Sequence, residues 1–225
     1  MKRTKSDFFW PSFSDLMTSL FFIMLVLYVL TYVQLKQRNK VLENQLRIIK
    51  TVEANLQPLK NDKDLFEYEE SYNRFKLAFD VKFQADKYAI LKDGHLVNAA
   101  ETRLKISEAG KKLKAVIDKL KLEKEKDPAL SKVSYILVIA GYASKDFNPR
   151  TMMHNYELSY FRALSLWSYW KDVEGIDFES PAYENLIDLQ ISGNGWGGVG
   201  RLPRNQESDN QRFLIQIFPK IGDIK

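Results

Sequence analysis

The sequence contains no cysteine among its 225 residues. Disulfide bonds and thiolate metal sites are therefore excluded, and the redox compartment stays undecided. The chain has two histidines, His95 and His154, so a metal site would have to rest on carboxylates. The patterns HExxH, GxxxxGK[ST] and GxGxxG are absent, which removes familiar signatures of zinc proteases and of nucleotide-binding loops.

The chain also has no strong excess of positive or negative charge. The sequence has 34 basic and 29 acidic residues, a net charge of +5, and no basic stripe interleaved with aromatic residues. A nucleic-acid partner is therefore not expected. The acidic residues form no recognisable catalytic frame, so the sequence does not predict an enzyme.

One long stretch near the start has almost no charge. From Ser12 to Val33 the only formally charged side chain is Asp15, and a helix needs roughly 20 apolar residues to cross a bilayer. The run is longer than the apolar core of a typical secretory signal peptide, and no small-residue cleavage site follows it. The sequence therefore predicts a transmembrane helix over residues 12–33, preceded by a short cytoplasmic tail at residues 1–11.

The acid in this predicted helix is a functional candidate. A carboxylate costs roughly 2.5–3.5 kcal/mol at the middle of a bilayer and less near its surface. Ser12, Thr18 and Ser19 lie three or four positions from Asp15, a spacing that places all four near one helix face. A carboxylate there can bind a proton or a small cation and then tolerate the low dielectric. The alternative is a capping box formed by Ser12 and Asp15 at the helix start.

A continuing helix is predicted over residues 34–60. Apolar residues recur there every seven positions, and one more fills a companion position: Leu35, Leu42, Ile49, Leu56 and Leu46. Such a seam favours a parallel dimer stalk, although Asn39 and Glu53 weaken it. One amphipathic helix that packs on its own domain or lies on the membrane surface fits the same pattern. Pro58 and the polar residues 61–64 predict the helix end, so residues 34–65 form a stalk and linker.

Residues 66–225 predict one α+β domain, a mixed sheet with helices packed on one face. Alternating or β-branched runs predict strands at 75–83, 133–140, 186–191 and 213–218, and the turn Asp93-Gly94 predicts a hairpin within 88–97. Apolar faces predict helices at 104–124 and 155–170. The glycine-rich loop at 193–200 is not a phosphate cradle, because no Lys-Ser/Thr pair follows it.

The residues around Asp15 resemble a known signature. They read Trp10-Pro11-Ser12-Phe13-Ser14-Asp15-Leu16-Met17-Thr18. This run is similar to the W-x-x-S-[YF]-[AS]-D-[LF]-M-T signature of MotB-like stator subunits, with the serine at Ser12. In that family the aspartate carries the translocated ion. The resemblance implies Asp15 as the ion carrier with Thr18 and Ser19 beside it, a proton or sodium ion as cargo, and no bound cofactor.

Two later segments resemble the OmpA-like peptidoglycan-binding domain. They read Gly141-Tyr142-Ala143-Ser144 and Asn155-x-x-Leu158-Ser159-x-x-Arg162-Ala163. The closing G-x-G and N-R-R elements of that family are matched by Gly193-x-Gly195 and Asn210-Gln211-Arg212. The resemblance implies that Asn155, Leu158 and Arg162 line the pocket for the peptide stem. An arginine can hold a carboxylate with two hydrogen bonds, and an asparagine can donate and accept.

The chain departs from this family at one position. Ser144 stands where the family has an acid after the Gly-aromatic pair. The usual binding of the amino group of diaminopimelate is therefore in question. Binding is weaker, or the stem peptide differs, or Asp146 or His154 takes part.

Together the resemblances imply a stator B subunit. Such a subunit is a single-pass protein of the bacterial inner membrane, with its N-terminus in the cytoplasm and its domain in the periplasm. It forms a homodimer inside a pentamer of a MotA-like A subunit and is anchored to peptidoglycan. The short span between helix and domain resembles the ZorB subunit of Zorya anti-phage defence. A flagellar-type stator, another envelope motor and a passive membrane-tethered wall anchor are the alternatives.

Overall fold

The computed structural model describes residues 9–221 apart from residues 147, 149 and 199. Residues 1–8 of the predicted tail therefore lie outside the described residues. The chain divides into two compact units, one ending at Arg47 and the other beginning at Ile48. The helices and strands are α1 (Phe9–Asn61), β1 (Phe66–Glu69), β2 (Arg74–Leu77), α2 (Ala99–Lys126), β3 (Val133–Gly141), α3 (Met152–Asp172), β4 (Ile187–Gly193) and β5 (Phe213–Ile221).

The first unit is the N-terminal part of helix α1. It contains one segment that is long and apolar enough to cross a membrane, with a mean hydropathy of 2.3. The large apolar side chains between Phe13 and Val33 are exposed, which is unfavourable in water over such a length and favourable in lipid. Because α1 begins at Phe9, Ser12 lies inside the helix and is not its N-cap. The capping-box alternative is therefore wrong.

The last turns of α1 belong to the second unit. Ile48, Val52, Leu56 and Leu59 are buried and join the main hydrophobic core. The buried amide of Asn55 donates a hydrogen bond to the Glu123 carboxylate on α2. From Ile48 onward, the helix therefore packs on its own domain.

Upstream residues of the heptad series remain exposed. Leu35, Leu42, Leu46 and Ile49 all have large accessible surfaces, in contrast to Leu56.

Helix α1 ends at Asn61, the first of the polar residues that predicted its end, while Pro58 lies inside its last turn. A proline inside a helix removes one backbone hydrogen bond and typically costs about 3 kcal/mol. Burial of Leu56 and Leu59 on either side of the proline offsets part of this cost.

The second unit contains a mixed five-stranded sheet in the order β1-β2-β5-β3-β4. Strands β3 and β4 are parallel, and the other neighbouring pairs are antiparallel. The predicted strands at 133–140, 186–191 and 213–218 are confirmed as β3, β4 and β5. Strand β1 was not predicted.

One face of this sheet is covered by helices. Alternate residues of β3, from Val133 to Ile139, are buried in the same core as the apolar faces of α2 and α3. The Trp170 indole of α3 donates a hydrogen bond to the Ile106 carbonyl of α2 at 2.8 Å. The predicted fold class, a mixed sheet with helices on one face, is confirmed.

The segment after β2 differs from the prediction. Strand β2 ends at Leu77 instead of continuing to Phe83, and the hairpin within 88–97 is absent. An isolated antiparallel bridge between Phe83 and Leu96 remains. Val81 and Phe83 are buried, so their alternation reflects packing against the core, while the chain has left the sheet. We call residues 78–98 the β2–α2 connection.

The packing of α1 on the domain predicts an unequal response to truncated leucines. Leu59→Ala should lower the free energy of unfolding by about 2–5 kcal/mol, because Leu59 is fully buried. Leu104→Ala, on the exposed face of α2, should change it by less than about 0.5 kcal/mol. Urea unfolding of the full chain in detergent micelles, followed by tryptophan fluorescence, measures both. Equal effects would contradict the placement of Leu59 in the core.

Candidate functional site

Helix α3 lies directly on strands β3 and β4. Gly141 and Gly193 are paired across the two strands. A Cβ atom on Gly141 would lie 2.1 Å from the Ser159 carbonyl oxygen, and one on Gly193 would lie 2.5 Å from the Tyr160 nitrogen. Because only glycine permits so close an approach, these two residues fix the height of α3 above the sheet.

The three predicted stem-binding residues occupy one face of α3. Asn155, Leu158 and Arg162 follow one another at helical spacing and are 8%, 7% and 4% exposed. The Asn155 amide donates a hydrogen bond to the Thr151 carbonyl at 3.1 Å. The structure therefore brings the three residues together, but below the surface.

Arg162 is covered by the β2–α2 connection. Its Nε donates a hydrogen bond to the Lys87 carbonyl at 3.1 Å, and its guanidinium lies 4.7 Å from the centre of the Phe83 ring. Burial lowers the pKa of Arg162 to about 10, and the negative charge of Asp86 opposes this shift. The guanidinium thus stays charged at neutral pH, with a carbonyl, an aromatic face and a nearby acid to stabilise it.

Contacts along the connection hold it on α3. The Asp86 carboxylate lies 3.1 Å from the His154 Nε2 atom, on the first turns of the helix. The Ile90 backbone N–H donates to the Ser165 hydroxyl at 2.7 Å, and Ile90 is fully buried.

An aromatic contact adds to these bonds, since the rings of Tyr88 and Phe161 lie 5.2 Å apart. Sequence reasoning missed this connection as part of the site. The closely spaced apolar residues Val81, Phe83 and Ile90 were its signal of burial.

The remaining predicted residues lie in the segment between β3 and α3 or at the start of the helix. The Ser144 hydroxyl accepts a hydrogen bond from the Gln211 amide at 2.9 Å. Asp146 accepts bonds from the Thr151 hydroxyl and from the Asn148 backbone N–H. The Thr151 bond, more than any other contact, lowers the pKa of Asp146. Both predicted residues therefore already have partners within the loop.

The closing motif is structural. Asn210 is fully buried, and its side chain bonds both backbone groups of Leu202. Arg212 forms an ion pair with Glu69 at 3.1 Å and donates to the Gly200 carbonyl. These contacts hold the loop that precedes β5.

The glycine-rich loop is tied to the segment that follows β3. Arg201 donates to the Gly195 carbonyl at 2.9 Å and to the Ala143 carbonyl at 3.0 Å. Arg201 forms an ion pair with Glu207. The Glu207 carboxylate also accepts a hydrogen bond from the Lys145 backbone N–H. The network fixes the backbone beside Ser144.

The predicted ion-carrying residues lie on α1, in the first unit. Asp15, Thr18 and Ser19 are all exposed. The Thr18 hydroxyl donates a hydrogen bond to the Ser14 carbonyl at 2.8 Å. This bond satisfies the hydroxyl donor and leaves its oxygen able to accept a proton donor or to coordinate a cation.

Within the part of the chain that the structure describes, no group of three or more histidine, aspartate or glutamate side chains is placed to hold a metal ion.

No protein-family model matches the sequence, and no curated protein matches it. Among solved structures, the chain is similar to a MotB-like protein from Desulfovibrio vulgaris, with 14% identity, a TM-score of 0.41 and coverage of 79% of this chain and 96% of that chain. It is also similar to the OmpA-like domain of FopA1 from Francisella tularensis, with 19% identity, a TM-score of 0.36 and coverage of 70% and 82%. A third is the cell wall anchor of the T6SS from Pseudomonas aeruginosa, with 13% identity, a TM-score of 0.35 and coverage of 75% and 96%. These similarities are too distant to assign the chain to a family.

The close approach of α3 to the sheet predicts a large cost at Gly141. Gly141→Ala should destabilise the fold by about 3 kcal/mol or more, because the new methyl group meets backbone atoms that cannot rotate away. Gly175→Ala is the control: nothing lies within 4 Å of its added Cβ, and only its positive φ of 65° is strained. That variant should cost about 1–2 kcal/mol. Urea unfolding of both variants gives the comparison, and equal costs would rule out the steric role of Gly141.

Proposed function

We propose that this chain is the B subunit of an ion-driven rotary motor in the bacterial inner membrane. Two copies, anchored to peptidoglycan, carry protons or sodium ions through Asp15 and thereby rotate a surrounding pentamer of a MotA-like A subunit. The observation that supports the proposal best is the position of Asp15, the only charged residue from Ser12 to Val33 on an exposed apolar helix.

The isolated acid calls for a partner protein. An ionised carboxylate in lipid is unfavourable, so Asp15 is expected to face other helices or a path for water. Thr18 and Ser19 lie on the same side and supply further oxygen atoms. A multi-helix A subunit would provide the remaining surroundings of the ion.

The exposed part of α1 supports a homodimer. Leu35, Leu42, Leu46 and Ile49 form an apolar seam with no partner in the described chain. A second copy of the same helix would cover this seam in a parallel coiled coil. Asn39 lies within the seam, and a single polar residue there typically fixes the register of a dimer at some cost in stability.

The domain supports attachment to the cell wall. Arg162 has a charged guanidinium of which one N–H is bonded to Lys87, and Asn155 lies two turns before it. Peptide stems of peptidoglycan carry carboxylates that an arginine can bind with two hydrogen bonds. In the proposed complex, the wall holds the B subunits still while the A ring turns.

We infer a role in Zorya-type anti-phage defence from the compact layout. Only residues 34–47 separate the predicted span from the unit that begins at Ile48. A flagellar-type stator is the alternative within the same class, and a gene for an A subunit with a long cytoplasmic tail beside this one would favour defence.

Asp15→Asn should abolish ion flux, because an amide keeps the size of the carboxyl group but cannot ionise. Flux is measured with a pH-sensitive or sodium-sensitive dye in proteoliposomes that contain the chain and its A subunit. Thr31→Val is the control, since that hydroxyl is bonded to the carbonyls of Leu27 and Tyr28. Co-purification with the A subunit should be unchanged in both variants. Normal flux in the Asn variant would leave the passive wall anchor as the better explanation.

Arg162→Lys should reduce binding of the full chain to purified peptidoglycan sacculi by about tenfold, since charge-assisted hydrogen bonds contribute about 1.5–3 kcal/mol. The fraction that sediments with sacculi is measured in detergent micelles. Arg150→Lys, at an exposed position before α3, should bind like the wild type. Thermal melting of each variant checks that the fold is intact. If all three proteins bind equally, Arg162 does not contact the wall.

A further inference from the structure

The exposed part of α1 carries two opposite charges beside its apolar seam. Leu35 and Leu42 lie seven residues apart on the seam, and Leu46 lies four residues after Leu42. This spacing assigns Leu35 and Leu42 to position d of a heptad and Leu46 to position a. Arg38 then occupies position g and Glu43 occupies position e. One basic and one acidic side chain therefore lie on the two flanks of the seam.

Neither charge has a partner within the part of the chain that the structure describes. Arg38 and Glu43 are both exposed, and no hydrogen bond or ion pair joins either of them to another described residue. They are also five residues apart, whereas ion pairs along a single helix join residues three or four positions apart. Both charges can therefore meet a second chain without first breaking a contact within their own.

The geometry points to an ion pair between Arg38 of one copy of this chain and Glu43 of a second copy, formed twice in the dimer. In a parallel coiled coil, residue g of one helix lies beside residue e of the following heptad on the other helix, which is five positions further along. Charged residues at these positions determine partner choice and orientation. The inference rests on the proposed homodimer and adds to it the residues that align the two helices.

The same pairing selects one register of the two helices. A slip by one heptad in either direction places Arg38 beside Lys36 or Lys50 of the second copy, and both of these contacts are repulsive. The neighbouring g positions hold Thr31 and Gln45, which have no charge. The pair is therefore the one of opposite charge along this part of the seam, and it forms only when the helices are aligned without a slip.

Two measurements on the full chain in detergent micelles test the ion pair. Sedimentation equilibrium gives the Kd of the dimer. Because the sequence contains no cysteine, Leu42→Cys adds a single thiol within the seam. Two such thiols can form a disulfide between chains only if their Cα atoms approach within about 7 Å, which requires parallel helices in register. The wild type should dimerise, and Leu42→Cys should cross-link as a dimer on oxidation.

Charge reversal should weaken the dimer at either residue of the pair. Arg38→Glu and Glu43→Arg should each raise the Kd by about tenfold, because each change replaces two attractive contacts in the dimer by two repulsive ones. The double variant Arg38→Glu with Glu43→Arg restores opposite charges. Its Kd should return to within about threefold of the wild-type value, since the two effects are coupled through one contact.

Lys40→Glu is the matched control. It makes the same change of charge as Arg38→Glu at an exposed residue two positions further along the helix. Lys40 occupies position b of the heptad, which faces away from the seam. This variant should dimerise with the Kd of the wild type.

The outcomes separate the ion pair from the dimer. A monomeric wild type whose Leu42→Cys variant does not cross-link overturns the homodimer and the ion pair with it. If the wild type dimerises and Leu42→Cys cross-links, but the single reversals keep the wild-type Kd, the homodimer stands and the ion pair is overturned. A double variant as weak as the single variants, or an equal loss in Lys40→Glu, also overturns the ion pair, because the effect then comes from net charge.

Discussion

Contact between the backbone of α3 and the paired glycines of β3 and β4 determines how deeply the site residues of α3 lie. Gly141 and Gly193 leave no room for a side chain between helix and sheet. With the helix so close, Leu158 is buried and Arg162 lies too deep to reach solvent by itself. The β2–α2 connection then closes over the arginine. The site is therefore a consequence of how tightly one helix sits on two strands.

Burial of Arg162 places a charge in an unfavourable environment, and several neighbours compensate for it. The Lys87 carbonyl, the Phe83 ring and the charge of Asp86 each favour the guanidinium over its neutral form. A side chain held this way loses little conformational freedom when a ligand arrives. An exposed arginine would have to be ordered at the moment of binding. The arrangement thus fixes the guanidinium beneath the β2–α2 connection and helps to hold that connection on α3.

Much of the fold could be predicted from local patterns. Strands β3, β4 and β5 and helices α2 and α3 have clear apolar periodicity, and the structure confirms them. The spacing of Asn155, Leu158 and Arg162 also predicted that these three residues share one face of α3. The β2–α2 connection could not be predicted, because its contacts with α3 join residues far apart in sequence. Phe83 meets Arg162 and Ile90 meets Ser165, and neither pair leaves a local signal.

Asp86 illustrates the same limit at a single residue. Its sequence neighbours do not distinguish it from Asp80 or Asp93, and only the folded chain brings it to His154. Pro58 shows the opposite case: the local signal of the proline was outweighed, and the helix ends three residues later, where the predicted polar stretch begins. The apolar residues on either side of it are needed by the core, so the helix continues through the proline.

The last turns of α1 also decide where a fragment of this protein can begin. A shortened protein that starts at strand β1 would lose Ile48, Val52, Leu56 and Leu59 from its core. It would leave Glu123 without the Asn55 amide and expose apolar surface on α2. Such a fragment would tend to aggregate even though its sheet is complete. The boundary between the exposed apolar part of α1 and the folded domain therefore lies within a helix, before Ile48, and not at the loop that follows it.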